Sequence, residues 1–222
     1  MDQRAVEIVD LSAINPAVLI AAIMVAAVPI ILAAVGELVV EKAGVLNLGV
    51  EGMMIMGAVC GFATAIETQN AALGFVGGAF GAMMLSLVFG LLTQFMMTNQ
   101  VATGLALTLF GLGLSSLIGH SYVGKLPPDL EKISFGPLAD LPAVGRMFFQ
   151  HDTLVYLSIL IVGLVWAFLK FSRMGLILRA VGESHDAAHA LGYRVIPIRL
   201  LAIMFGGAMA GLGGAYIALI RV

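Results

Sequence analysis

Charge is what this sequence has least of. Of 222 residues, 11% are charged and 61% are hydrophobic. Soluble domains carry roughly 25% charged and about 45–50% apolar residues. Mean hydropathy is +1.07, and so few charges cannot coat a core of that size in water. A soluble fold is excluded. The net charge of −2 offers no electrostatic footprint for nucleic acid. The single cysteine, Cys60, sits in an apolar run and cannot form an internal disulfide. The N-terminal stretch MDQRAVEIVDLSAINP lacks a basic segment joined to a short apolar run and a small-residue cleavage site. Residues 1–16 are therefore expected to be a tail rather than a cleaved signal peptide, with the first membrane span serving as the targeting signal.

Other absences exclude chemistries. All four histidines lie in two long polar stretches, which leaves no intramembrane histidine for a rhomboid-type serine protease. Every aspartate lies at an end or in a loop, so the paired aspartates of an intramembrane aspartyl protease are missing too. Residues 119–125, GHSYVGK, approach the phosphate-binding pattern GxxxxGK[ST]. However, Leu126 stands where a hydroxyl residue would hold magnesium, and an apolar run rather than a strand precedes the motif. His185 and His189 are four apart, but HDAAH has Asp where HExxH has Glu, and no third ligand is evident, so no metal site is expected. The chain is not expected to be an enzyme or to hold a cofactor of its own.

What the sequence has is apolar runs. A spanning helix needs about 20 such residues. The runs cover 17–40, 52–66, 72–97, 101–119, 153–171 and 199–220, giving an all-α bundle of about six transmembrane helices in one domain, 17–222. Pro29 is expected to kink the first span. The second is short unless 44–51 also enters the bilayer. Polar stretches fill 41–51, 67–70, 120–152 and 172–198. The stretch 120–152 contains Pro127, Pro128, Pro137 and Pro142, and is expected to be a loop with a short surface segment at 147–149. Lys170, Arg173, Arg179, Arg194 and Arg199 crowd around 172–198, which the positive-inside rule makes cytoplasmic. By alternation 41–51 is then inside, and 120–152 and the N-terminus are outside. Gly74/Gly78, Gly77/Gly81, Gly207/Gly211 and Ala210/Gly214 repeat small residues four apart, the pattern of closely packed membrane helices.

A few polar residues stand at the membrane edge or within it: Glu37, Glu41, Lys42, Asn47 and Glu51. Charges inside a bilayer usually face a cavity or a partner. Glu37/Glu41 and Asn47/Glu51 would each share a face if helical. Glu41 and Lys42 could neutralise each other, or be solvated in an interfacial loop. Gly44, Gly49 and Gly52 suit a broken helix of the kind that lines transport sites. On the cytoplasmic side, residues 182–192 read as a short helix. Ser184 caps it, Asp186 sits in the first turn and Gly192 ends it. Ala187, Ala188 and Leu191 give it a small apolar face. A helix this short needs something to dock on, either an ATPase or the bilayer surface.

Three stretches, GELVVEKAGVLNLGVEGMMIMGA (36–58), NQVATGLALTLFGLGLSSLIG (99–119) and GLILRAVGESHDAAHALGYRV (175–195), resemble inner-membrane permeases of ABC importers. The superfamily serves branched-chain amino acids, ribose-type sugars and nucleosides, and the resemblance is strongest to the second permease of nucleoside (simple-sugar) importers. It covers nearly the whole chain from about residue 17. It implies a multi-pass permease subunit in the bacterial inner membrane. It also implies three partners: a cytoplasmic ABC ATPase that uses the ATP, a second permease, and an extracellular or periplasmic substrate-binding protein. Glu183, Ser184, His185, Asp186, Ala187, Ala188, His189, Leu191 and Gly192 would form the coupling helix that docks on the ATPase. Glu37, Asn47, Glu51, Thr103 and Thr108 would lie near the translocation path. The sequence departs from the pattern at Thr108, where Asn is expected in close relatives. It also breaks off after Leu219, Ile220, Arg221 and Val222, where the family continues into further spans, so a C-terminal truncation is expected. Nucleoside is the expected substrate. Sugar, branched-chain amino acid, or transport without ATP as a channel or secondary transporter are the alternatives.

Overall fold

The computed structural model describes residues 16–128, 132–134 and 150–220. The tail, Pro137, Pro142, the segment 147–149 and the last two residues lie outside the described residues. Among the described residues, six helices are long and apolar enough to cross a membrane. They are α1 (Pro16–Lys42), α2 (Val50–Thr68), α3 (Ala71–Gln94), α4 (Gln100–Gly119), α5 (Thr153–Phe171) and α8 (Val195–Leu219). Between α5 and α8 lie two shorter helices, α6 (Arg173–Glu183) and α7 (His185–Ala190).

Local chemistry sets the boundaries. Asn70 Oδ1 accepts from the amides of Ala72 (2.9 Å) and Leu73 (3.3 Å), which starts α3. Asn99 Oδ1 accepts from Ala102 N at 3.1 Å and starts α4. α1 runs through Pro29 as one helix of 27 residues, with Gly213 of α8 lying against the Pro29 backbone. One expectation about the first spans changes. α2 reaches 19 residues by taking in Val50, Glu51, Glu67 and Thr68, so spanning length comes without drawing 44–49 into a helix.

α8 is the axis of the bundle and packs on α1, α2 and α3. Its Gly211, Gly213 and Gly214 face backbone, while Gly206 and Gly207 face the Val40 and Ser86 side chains. A Cβ on Gly211 would strike the Gly78 carbonyl of α3, one on Gly57 of α2 would strike Gly211, and one on Gly214 would strike the Met54 carbonyl. The expected close packing is therefore present at Gly74/Gly78 and Gly207/Gly211. Gly77 and Gly81 also serve the α2–α3 contact, against Thr64 and Cys60. Lipid tails are as apolar as leucine, so such backbone approach supplies dispersion contact that the hydrophobic effect cannot. Val40, Met53, Leu85, Phe89 and Ile203 fill the middle. α4 touches the bundle through α2 and, less, through α3, and α5 packs chiefly on α1. Leu109, Leu117 and Ile30 point outward.

The helices alternate between two ends. The end that carries the arginines gathers 43–49, 95–99 and 172–194. Gly182 of α6 lies against the Lys42 carbonyl, and Arg199 Nε donates to Ala43 O at 3.0 Å. At the opposite end Tyr216 Oη, from a residue only 1% exposed, donates to Asp152 Oδ2 at 3.3 Å. Lys125 pairs with Glu67 there at 4.0 Å. A short antiparallel ribbon, β1 (Lys132–Ser134) with β2 (Gln150–Asp152), was not legible in the all-helical sequence pattern.

Candidate functional site

The segment 43–49 joins α1 to α2 at the arginine-bearing end. Ala43, Val45, Asn47 and Gly49 are buried, and Gly44, Leu46 and Leu48 alternate with them as exposed residues. A non-helical backbone inside a membrane protein must find its hydrogen bonds elsewhere. Ala43, Gly44 and Val45 turn their amides back onto carbonyls of α1, and side chains supply acceptors for Leu46, Asn47 and Gly49. A Glu37 carboxylate oxygen accepts from Asn47 N at 3.2 Å. Gln100 Oε1 accepts from Leu46 N at 2.8 Å. Asn47, only 3% exposed, turns its Oδ1 onto Gly49 N at 2.9 Å and its Nδ2 toward Met53 Sδ at 3.5 Å. Gly44 sits at φ +78°, the left-handed region that favours glycine.

α4 closes the site from one side. Thr108 Oγ1 donates to Leu48 O (3.4 Å) and to Gly104 O (3.2 Å). Gly52 lies so near Thr108 that a Cβ there would be 2.5 Å from Thr108 Cα. Thr103 Oγ1 bonds Thr98 Oγ1 at 2.9 Å. Thr98 and Thr103 border an open apolar cavity of about 530 Å³ between α3 and α4, with Val88, Leu92 and Phe110.

The structure thus brings Glu37, Asn47 and Thr108 together around 43–49, and Thr103 lies on the same helix as Thr108. It does not bring Glu51 in, which is exposed in the first turn of α2. Asn47 is not helical, so the Asn47/Glu51 pair shares no helix face. Glu41 and Lys42 are both exposed, and the described residues show no ion pair between them. Gln100 and Arg199 belong to the site but escaped the sequence reading. Their partners are backbone groups that carry no sequence signal.

The short helix forms where expected, as α7. Ser184 Oγ accepts from Ala187 N at 3.3 Å, Asp186 lies in the first turn, and Gly192 has φ +85°. Glu183 belongs instead to the last turn of α6. His185 Nε2 lies 3.1 Å from Asp186 Oδ1. The expected apolar face divides. Ala188 is buried against Val181 and Val195, while Ala187, His189 and Leu191 are exposed, Leu191 by 75%. α6 was expected as loop. Ser172 caps it by accepting from Gly175 N at 2.9 Å, and it buries Leu178 and Val181.

A description of known families matches residues 19–222, under the heading branched-chain amino acid transport system / permease component. A putative glucose ABC transporter permease of Haloferax volcanii is 41% identical over 198 residues, 87% of this chain and 60% of that protein. A guanosine ABC transporter permease of Bacillus subtilis is 30% identical over 211 residues, 89% of this chain and 66% of that protein. A nucleoside ABC transporter permease of Lactococcus lactis is 29% identical over 218 residues, with the same two shares. The chain spans about two thirds or less of the length of these relatives. No solved structure matches. Six apolar helices and a match along nearly all of its length make this a multi-pass membrane protein of the branched-chain amino acid transport system permease family.

Proposed function

We propose that this chain is a membrane-embedded permease subunit of an ATP-binding cassette importer, moving nucleosides across a bacterial inner membrane. It hydrolyses no ATP. A separate cytoplasmic ATPase does so, and a second permease and an extracellular substrate-binding protein complete the assembly. The arginine-bearing end faces the cytoplasm, and 183–192 is the coupling segment. The observation that carries this reading is α7, a six-residue helix capped by Ser184 between two spans. One side of it is anchored by Ala188, and the other presents Ala187 and Leu191 outward. A helix that short does not hold itself, and an apolar pair exposed beyond the spans suits a protein groove.

Names of relatives support both nucleoside and sugar as cargo. Competition settles the choice: unlabelled guanosine should suppress uptake of labelled nucleoside, and suppression by glucose alone would transfer the assignment to sugar. The docking claim is tested by tagged recovery from membranes. Wild type should bring an ATPase and a second permease, and Ala187→Arg should lose the ATPase while keeping the second permease. Equal ATPase recovery in both would reject 183–192 as the docking element. Uptake driven by a proton or sodium gradient without ATP would reject the importer reading altogether.

A further inference from the structure

We propose that the segment 43–49 is the mechanical link through which movement of α6–α7 reaches α4, with Arg199 and Gln100 as its positioning residues. The inference rests on the importer reading above, and concerns how the docking segment acts rather than whether it docks.

Two contacts without side chains between them define the link. On one side, Gly182 in the last turn of α6 lies directly on the 42–44 backbone. A Cβ there would strike the Lys42 carbonyl and come within 3.0 Å of Gly44 N. On the other side, Gly104 of α4 lies on 48–49, where a Cβ would sit 2.9 Å from the amides of both Leu48 and Gly49. Side chains absorb small displacements by changing rotamer, whereas backbone packed on backbone moves as one. A shift of α6 therefore has no soft layer in which to dissipate before it reaches α4.

Hydrogen bonds fix the link at its ends. Arg199 Nε holds Ala43 O from α8 at 3.0 Å. Gln100 Oε1 holds Leu46 N from α4 at 2.8 Å, and Thr108 Oγ1 holds Leu48 O at 3.4 Å. Arg199 anchors to the axis of the bundle, and Gln100 and Thr108 anchor to α4, which packs mainly on α2 and, less, on α3. The fixed side and the movable side are thereby distinguished: α4, with the fewest neighbours among the long helices at this site, is the element free to follow. It is also the helix that bears Thr103 and Thr108.

The test uses the complex recovered with this chain and its ATPase. Gln100→Met removes the acceptor at nearly constant size, and Gln100→Glu restores one. Expected for Gln100→Met is ATPase recovery and ATP hydrolysis within twofold of wild type, with substrate moved per ATP reduced about tenfold. Gln100→Glu should return to within about threefold. A merely structural role would instead lower ATPase recovery in step with transport. Normal transport per ATP in Gln100→Met overturns the proposal while leaving docking intact, and absence of an ATPase from the wild-type complex overturns the importer reading instead. If Gln100→Met fails to fold, hydrogen exchange on the wild-type complex decides. Adding a non-hydrolysable ATP analogue should change exchange at 182–192, 43–49 and 100–108 together. A change confined to 182–192 would overturn the link.

Discussion

At the scale of single residues, Asn47 shows how a membrane protein keeps a non-helical segment in place. Its Oδ1 satisfies Gly49 N in a buried setting. Asn47→Ala leaves that amide without an acceptor, at a cost of about 1–3 kcal/mol. The expected result is a lower melting temperature in detergent, with Asn47→Ala less stable than Glu51→Ala. Glu51 is exposed at the start of α2, where a carboxylate gains only about 0.3–1 kcal/mol from the helix N-terminus. As a candidate for the translocation path, Glu51→Ala should lower uptake without reducing ATPase recovery; unchanged uptake would remove Glu51 from the path. Asn47 and Glu37 were legible because polar groups among apolar neighbours stand out in a sequence. Gln100 and Arg199 were not, because they reach backbone groups 54 and 156 residues away. Nothing in residue type marks such a pairing.

At the scale of elements, α7 was legible because its signals are local: a capping serine, an acid in the first turn and a terminal glycine. Removing either end should loosen it. Ser184→Ala removes the acceptor for Ala187 N and costs about 1 kcal/mol. Exchange of the α7 amides should rise about fivefold, as that energy implies, with the amides of α8 unaffected. Gly192→Ala forces a side chain into φ +85° and should have a similar effect. The neighbouring α6 was missed for a different reason. Arg173, Arg179 and Glu183 make its stretch polar on average, and its buried face is only Gly175, Leu178 and Val181. The three-residue spacing of these positions was the available signal, but in a chain of long apolar runs it was outweighed by composition. The ends of α2 are hidden from a hydropathy reading because Glu51 and Glu67 resemble loop residues, although both are in the helix.

At the scale of the whole molecule, six spans were readable from hydropathy and their close packing from the glycine repeats. What could not be read was which helix occupies the centre, because every span is apolar all round and the glycine repeats mark α3 and α8 alike. The structure gives that place to α8. Gly211→Leu should therefore greatly reduce the folded monodisperse protein in detergent, since its Cβ would enter the Gly78 carbonyl and overpacking typically costs about 1–3 kcal/mol. Gly113→Leu on α4 should leave it intact, because nothing lies within 4 Å of a Cβ there. Size-exclusion profiles of the two variants check the contrast. The central position of α8 also fixes an order of events during synthesis. α1, α2 and α3 leave the ribosome before the helix they surround, and about a hundred residues separate the end of α3 from the start of α8. Their glycine faces enter the bilayer facing acyl chains. The bundle then closes when one late span arrives and displaces that lipid, so insertion and assembly are separate steps and the second waits on a single nascent helix.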